Sequence, residues 1–184
     1  MSFLIRAATP DDAAAIARIY APYVESLSVS FEQRAPSTKE MARRIETVME
    51  TYPWLVAEND GEVVGYAYAS RFRERWAYRF AVEAAIYIAA HRQREGIGRR
   101  LYMALIRTLS AQGFTQALAT IALPNEASID MHEAVGFQRA GVWRSVGFKA
   151  GQWRDVGLWQ RPLALMEETP EEPKPFSEVG LSLE

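Results

Sequence analysis

The stretch whose residue types best suit chemistry is QREGIG, at positions 93–98 of the 184-residue chain. It lies between an apolar strand-like run and an amphipathic helix-like run. A helix start leaves about four backbone N–H groups unpaired and carries a partial positive charge. Gly96 and Gly98 have no side chains that would keep a phosphate away from those amides. Two interpretations fit this pattern about equally well. One is a phosphate-binding loop, and the other is a glycine turn beside a solvated basic helix face.

This loop differs from two common nucleotide-binding motifs. Its glycine spacing is shorter than G-x-G-x-x-G, and no glycine-lysine-serine/threonine sequence follows it. Basic side chains nevertheless surround the same point, namely Arg92, Arg94, Arg99 and Arg100. We therefore expect an anionic ligand that is held locally.

Two regular elements must hold the loop in place. The run AVEAAIYIAA at 81–90 predicts a strand that has Glu83, Ala85 and Tyr87 on one face, because side chains alternate along a strand. After the loop, apolar residues spaced by three or four positions predict a helix to about Gln112. The loop is thus expected at a strand-to-helix junction.

Along the chain, capping residues and changes of periodicity predict the element order β-α-α-β-β-β-α-β-α-β-β. Thr9 with Asp12 and Ser37 with Glu40 form the two capping boxes. This order predicts an α/β fold, a mixed sheet with a layer of helices on each face, as a single domain over 1–165.

The remaining segment, 166–184, forms a proline-rich tail with six glutamates against one lysine. Such a composition predicts disorder, because little apolar surface is available for burial. Packing on a partner subunit is the alternative. Removing this acidic tail from the count leaves a mildly basic domain.

Composition excludes several classes of protein. The chain has no cysteine, which excludes disulfides and a cysteine nucleophile, and its two histidines, His91 and His132, are too far apart to suggest a zinc site. We therefore expect no metal. Without a signal-like start or an apolar run near the ~20 residues of a membrane span, we expect a cytoplasmic protein with no membrane partner. Residues 1–165 carry a net charge of only +3, which argues against a nucleic-acid partner bound by the arginines at 92–107.

The strand, the QREGIG loop and the next helix together resemble motif A of the GNAT acetyltransferases, which takes the pyrophosphate of acetyl-CoA. NEAS at 125–128 and HEAVGF at 132–137 resemble the later N-x-x-[AS]…G-F signature of that family. Four longer segments resemble its phosphinothricin acetyltransferase branch: WLVAENDGEVVGYAYA, AYRFAVEAAIYI, LPNEASIDMHEAVGF and VGFKAGQWRDVGLWQ. The resemblance covers roughly residues 3–163.

This resemblance implies a GNAT-like fold, in which a mostly antiparallel central sheet has splayed parallel strands at the acetyl-CoA site and helices on both faces. It implies acetyl-CoA as co-substrate and a homodimer. Relatives in the branch acetylate methionine sulfone and methionine sulfoximine, so the implied partner is a small amino-acid analogue. Direct transfer is expected, because no cysteine is present to hold the acetyl group.

By resemblance, acetyl-CoA binding falls on the end of the strand, the loop and the later helix. Asn125 can reach the pantetheine arm and also cap the helix, a common role of asparagine. Ala134 stands where relatives often carry lysine, so a side-chain contact to a cofactor phosphate would be lost while a backbone contact survives. The matching positions are Ile86, Tyr87, Ile88, Arg94, Glu95, Gly96, Ile97, Gly98, Arg99, Asn125 and Ala134.

Acetyl transfer requires a neutral amine, so a base must take the ammonium proton. Glu83 occupies the position of the proposed base in the branch, and a solvated strand glutamate is the alternative. His132 stands where most of the superfamily has a tyrosine and where the branch has histidine. We assign His132 to assistance or positioning, the alternative being a buried structural histidine.

Substrate recognition is expected to involve an anionic group. Arg73 and Arg75 precede Glu83 and match basic residues of the branch, and guanidinium groups bind carboxylates well. A solvated arginine cluster is the alternative. Phe31 and Tyr78 match apolar pocket walls, with core packing about equally expected. Together with these four residues, Glu83 and Ala85 complete the predicted substrate site.

The leading hypothesis is therefore acetyl-CoA-dependent N-acetylation of the α-amine of a small amino-acid analogue. An alternative keeps the fold but acetylates a protein lysine or N-terminus, which would need an open groove. The aromatic segments around Trp76 and Trp153 argue for a closed pocket instead. A non-catalytic CoA-binding sensor is the third reading, and the presence of Glu83 with a complete loop argues against it.

Overall fold

The computed structural model describes residues 3–25, 29–165 and 167–183, and its centre is a seven-stranded sheet. The strand order is β1-β2-β3-β4-β5-β7-β6. The strands are β1 (Leu4–Ala7), β2 (Trp54–Asn59), β3 (Glu62–Arg71), β4 (Ala81–Ile88), β5 (Gln116–Ala122), β6 (Gln138–Lys149) and β7 (Gln152–Pro162). The helices are α1 (Ala13–Glu25), α2 (Thr38–Met49), α3 (Ile97–Gln112), α4 (Glu126–Ala134) and the short α5 (Phe176–Val179).

The predicted element order is confirmed through β7, and local capping explains part of it. Thr9 and Asp12 form the expected capping box, in which the Thr9 N–H donates to Asp12 Oδ2 at 2.8 Å. The Ser37 side chain accepts from the Glu40 N–H at the start of α2. These contacts satisfy donors that a helix start leaves unpaired.

The sheet opens between its two parallel strands. β4 pairs with β3 along its length, from Val82 to Ile88. Its parallel pairing with β5 runs from Ala81 only as far as Glu83, opposite Leu118. Beyond that pair β5 stays bonded to β7, so β4 and β5 separate. The predicted mostly antiparallel sheet with splayed parallel strands is confirmed.

Helices cover both faces of the sheet and bury two apolar clusters. On one face α3 packs its stripe of Ile97, Leu101, Leu105 and Leu109 onto the sheet, and none of the four is more than 2% exposed. On the other face α1 and α2 pack against the aromatic side chains of β2 and β3. The spacing of apolar residues in the sequence predicted the α3 stripe because every third or fourth residue lies on one helix face.

The tail packs on the domain, so the prediction of disorder is wrong for 167–183. Phe176 in α5 is 6% exposed and belongs to the α3-side cluster. The Gln112 amide donates to the carbonyl oxygens of Lys174 and Thr51 at 2.8 and 2.9 Å. Burial of one aromatic side chain, Phe176, thus orders a charged segment whose average composition predicted disorder. The tail residues 166 and 184, and positions 26–28 of the polar segment before α2, lie outside the described residues.

Across 3–25, 29–165 and 167–183, no helix is long and apolar enough to cross a membrane. In the same described ranges no three His, Asp or Glu side chains come together as a possible metal site.

Candidate active site

A cavity of about 520 Å³ lies where β4 and β5 separate. Phe31, Glu83 and Ala85 all line it, so the structure brings three of the predicted substrate residues together. Apart from Tyr68 and Tyr87, Glu83 is the one lining residue with an ionisable side chain. The cavity therefore presents a single carboxylate at the splay of the strands.

Thr120 on β5 orients that carboxylate. The Thr120 hydroxyl donates to Glu83 Oε1 at 2.6 Å, across the point at which the two strands begin to diverge. A short hydrogen bond to a carboxylate fixes the direction of its oxygens. The sequence did not reveal this role of Thr120, because the contact depends on how two strands distant in sequence align.

Aromatic side chains form the floor of the cavity beside Glu83. The Tyr87 ring meets Tyr20 and Tyr23 edge-on at 5.0 and 5.1 Å, and it stacks on Tyr66 at 5.2 Å. Burial raises the pKa of Tyr87 well above its ordinary value and raises that of Tyr68 as well. Both phenols are therefore neutral near pH 7.

The backbone of the predicted phosphate loop turns sharply before α3. Arg94 has φ 65° and Gly96 has φ 78°, the left-handed region in which glycine is least strained. Arg94, Glu95, Gly96 and Arg99 are exposed, and the N–H groups in the first turn of a helix have no carbonyl partner within the helix. An open helix start flanked by two guanidinium groups fits a pyrophosphate.

Gly98 has a packing role that the sequence did not reveal. It is buried, and a Cβ added there would lie 2.8 Å from Met131 Cε. Ile88 is the next neighbour, at 3.5 Å. The absence of a side chain thus lets α3, α4 and the end of β4 approach each other.

Side chains outside the motif hold the loop. Arg92 donates to Asn59 Oδ1 at 2.6 Å and pairs with Glu95 at 3.0 Å. Gln93 donates to the Tyr23 hydroxyl, which itself donates to the Ile88 carbonyl at 2.7 Å. Asn59 and Tyr23 were not predicted, because their contacts join segments far apart in sequence.

The start of α4 confirms one of the two roles considered for Asn125. Its Oδ1 accepts from the Ser128 N–H at 3.2 Å, so it caps the helix. Contact with a pantetheine arm stays a prediction. Ala134 lies exposed in the last turn of α4.

His132 is buried away from the cavity. It is 5% exposed, and its ring lies edge-on to Tyr102 and Phe137 at 5.1 and 5.3 Å. Nδ1 lies 2.7 Å from the Ser128 carbonyl oxygen, which can only accept, so Nδ1 carries the proton. Burial lowers the pKa of His132, and the side chain is neutral near pH 7. These contacts match the structural alternative and favour positioning over proton donation.

Arg73, Arg75 and Tyr78 do not line the cavity of this single chain. All three are exposed on the segment between β3 and β4. Arg73 lies over the Phe72 ring at 5.0 Å, and Tyr78 meets the same ring edge-on at 5.7 Å. Nearness in sequence did not bring them to the cavity beside Glu83, and a short 3₁₀ turn over Trp76–Tyr78 follows the two arginines.

Together, the open parallel pair and the glycine-bearing helix start define an acyltransferase-type site, and comparison with known proteins agrees. The family pattern described as Acetyltransferase (GNAT) domain matches residues 5–158. The chain belongs to this acetyltransferase family, which confirms the predicted fold, family and enzyme class.

Relatives narrow the comparison to one branch. The chain is 41% identical over 175 residues to a phosphinothricin N-acetyltransferase of Streptomyces viridochromogenes, covering 95% of this chain and 93% of that protein. It is 33% identical over 160 residues to an L-methionine sulfoximine/L-methionine sulfone acetyltransferase of Salmonella typhimurium, covering 86% and 94%. A crystal structure of a phosphinothricin acetyltransferase from Sinorhizobium meliloti in complex with AcCoA superposes with a TM-score of 0.89 at 40% identity, covering 95% and 96%.

Proposed function

We propose that the protein transfers the acetyl group of acetyl-CoA to the α-amine of a small amino-acid analogue. Phosphinothricin, methionine sulfoximine and methionine sulfone are the candidate acceptors. The observation that carries the proposal is the Glu83 carboxylate, oriented by Thr120, in a cavity of about 520 Å³. That volume suits a small molecule rather than a folded protein segment.

The residues on the α3 side of the cavity are assigned to acetyl-CoA. The N–H groups at the start of α3 would bind its pyrophosphate, with Arg94 and Arg99 supplying positive charge. The part of β4 after the splay, which includes Tyr87, offers backbone groups to the pantetheine arm. From α4 and its cap, Asn125 would contact the same arm, and the backbone of Ala134 would contact a phosphate of the cofactor.

Glu83 is assigned the role of general base. Its carboxylate accepts a proton from the acceptor ammonium, and the neutral amine then attacks the thioester carbonyl. A C–N bond forms, the C–S bond breaks, and the released thiolate takes up one proton. Backbone N–H groups of the open β4 edge can donate to the transient oxyanion. His132, neutral and bonded to Ser128, keeps α4 in place during these steps.

Arg73 and Arg75 are assigned to the acceptor carboxylate from the family resemblance, although they do not line the cavity of the single chain. A homodimer is also part of the proposal. Phe148 and Trp153 on the β6–β7 hairpin are 62% and 64% exposed, with their rings 5.2 Å apart. Exposed aromatic pairs of this kind are typical of protein interfaces. We propose that a second copy of this chain covers the surface formed by Phe148 and Trp153. Sedimentation velocity measures the resulting oligomeric state. A cytoplasmic location stays a prediction.

The test of the proposed substrate class is release of free CoA thiol from acetyl-CoA with a panel of acceptors. The panel contains phosphinothricin, methionine sulfoximine, methionine sulfone, methionine, glutamate and a lysine peptide. We expect turnover of the three oxidised analogues. Turnover of the lysine peptide alone, or no turnover while acetyl-CoA still binds, would contradict the proposal.

A further inference from the structure

Phe31 lines the acceptor cavity together with three residues of the β6–β7 hairpin, namely Trp143, Val146 and Val156. Phe31 lies on the segment between α1 and α2. Its ring rests against Gly147 of β6 so closely that a Cβ added at Gly147 would lie 2.3 Å from Phe31 Cζ and 2.4 Å from Cε2. Contacts that short do not occur, so any larger residue at 147 requires the ring to move.

A second residue of β6 holds the backbone on both sides of that ring. Lys149 Nζ lies 2.5 Å from the carbonyl oxygens of Val24 and Ser30 and 3.1 Å from that of Glu32. An ammonium group has three N–H donors and no acceptor, so these three carbonyls match it fully. Val24 is in the last turn of α1, where the helix dipole adds negative charge.

The opposite side of the same segment is fixed by α1 and α2. The Tyr20 hydroxyl lies 2.7 Å from Ser30 Oγ and donates to Glu32 Oε1 at 3.0 Å. Arg44 donates to both oxygens of Glu32, at 2.7 and 3.0 Å. Phe31 is thus held between two anchored neighbours, so a ring displaced from β6 moves by rotation of its own side chain, which is partly exposed, while the backbone stays in place.

We propose that Gly147 determines acceptor specificity and that Lys149 is a positioning residue, both acting through Phe31. Gly147 leaves the space that the Phe31 ring occupies. Lys149 fixes the position, relative to β6, of the backbone segment that carries the ring. Together they set how much of the cavity is left for the acceptor side chain. The inference rests on the proposed function for its substrate, but the position of the segment can be measured without activity.

The first experiment changes the space beside the ring. In Gly147→Ala we expect the ratio of kcat/KM for methionine sulfone to that for S-methylcysteine sulfone, one methylene shorter, to fall about tenfold. The double variant Gly147→Ala with Phe31→Leu should restore the ratio, because the smaller side chain makes room. Gly141→Ala, on the same strand with its nearest neighbour 3.7 Å away, is the matched control and should keep the wild-type ratio. An unchanged ratio in Gly147→Ala would overturn the specificity role.

The second experiment releases the segment. In Lys149→Met we expect faster amide hydrogen exchange at 29–35 and an acceptor KM about tenfold higher, with the KM for acetyl-CoA unchanged. Lys149→Arg should recover part of both effects, and Lys39→Met, an exposed lysine on α2, should show neither. Unchanged exchange at 29–35 would overturn the positioning role. A wild-type protein inactive on every acceptor would instead refute the proposed function, and exchange would still decide the role of Lys149.

Discussion

At the level of single residues, the site depends on how each polar side chain is held. Glu83 is fixed by Thr120 at 2.6 Å in an accessible cavity, whereas His132 is fixed by its own helix inside an aromatic cluster. The first arrangement leaves a carboxylate free to exchange a proton with a ligand. The second keeps an imidazole neutral, because burial disfavours its charged form.

The lowered pKa of His132 makes stability depend on pH. Below its ordinary pKa of 6.5 the unfolded chain protonates this side chain while the folded protein resists it. The stabilisation is complete above pH 6.5 and is lost as the pH falls through the lower pKa of the folded state, with a slope of at most about 1.4 kcal/mol per pH unit. Urea unfolding between pH 8 and pH 5 should show a shallower loss for His132→Gln. His91→Gln, at the exposed histidine, should follow the wild type, and equal slopes for all three proteins would refute the assignment.

At the level of elements, short-range sequence patterns predicted the helices, the strands and their buried faces. Contacts between distant segments depend on strand register and loop conformation, which such patterns do not determine. The α3 stripe could be predicted because periodicity determines which face of the helix each residue occupies. The splayed strands were predicted from the family resemblance. The Thr120 contact to Glu83 could not be predicted, since it depends on how two strands distant in sequence align. Arg73 and Arg75 were assigned from resemblance, and in the single chain they do not line the cavity.

The phosphate loop gives a prediction at this level. Gly96→Ala places a Cβ at φ 78°, where the left-handed conformation costs about 1 kcal/mol. The loop should then spend less time in its binding shape, so we expect acetyl-CoA to bind about fivefold more weakly in calorimetry. Gly151→Ala, in the turn between β6 and β7 at φ 74° and equally free of close neighbours, is the control for backbone strain. A similar loss of affinity in both variants would show that the effect is not specific to the loop.

At the level of the whole molecule, the tail joins parts that the sheet does not connect directly. Phe176 docks on the α3 side of the core, and Gln112 at the end of α3 binds the Lys174 carbonyl. Glu172 forms a two-oxygen ion pair with Arg79, on the segment that also carries Arg73 and Arg75. The tail thus holds the helix behind the cofactor loop and the proposed carboxylate-binding segment together.

Removing the tail anchor should therefore destabilise the entire domain. Phe176→Ala deletes a ring that is 6% exposed, and we expect a loss of about 3 kcal/mol in the free energy of unfolding. Leu165→Ala, at a side chain 91% exposed, should change it by less than about 0.5 kcal/mol. Thermal and denaturant unfolding measure both. If Phe176→Ala were as stable as Leu165→Ala, the tail would not be part of the folded core.

The most direct test of the account is the effect of Glu83→Gln on acetyl transfer to the acceptors that the wild type uses. We expect kcat/KM for the acceptor to fall about 100-fold or more, with acetyl-CoA affinity unchanged, because the amide keeps the shape of the side chain but accepts no proton. The residual rate should rise with pH as more of the acceptor amine becomes neutral. Glu46→Gln, at an exposed glutamate of α2, should behave as wild type. A Glu83→Gln enzyme within about threefold of the wild type would contradict the assignment of Glu83 as the base.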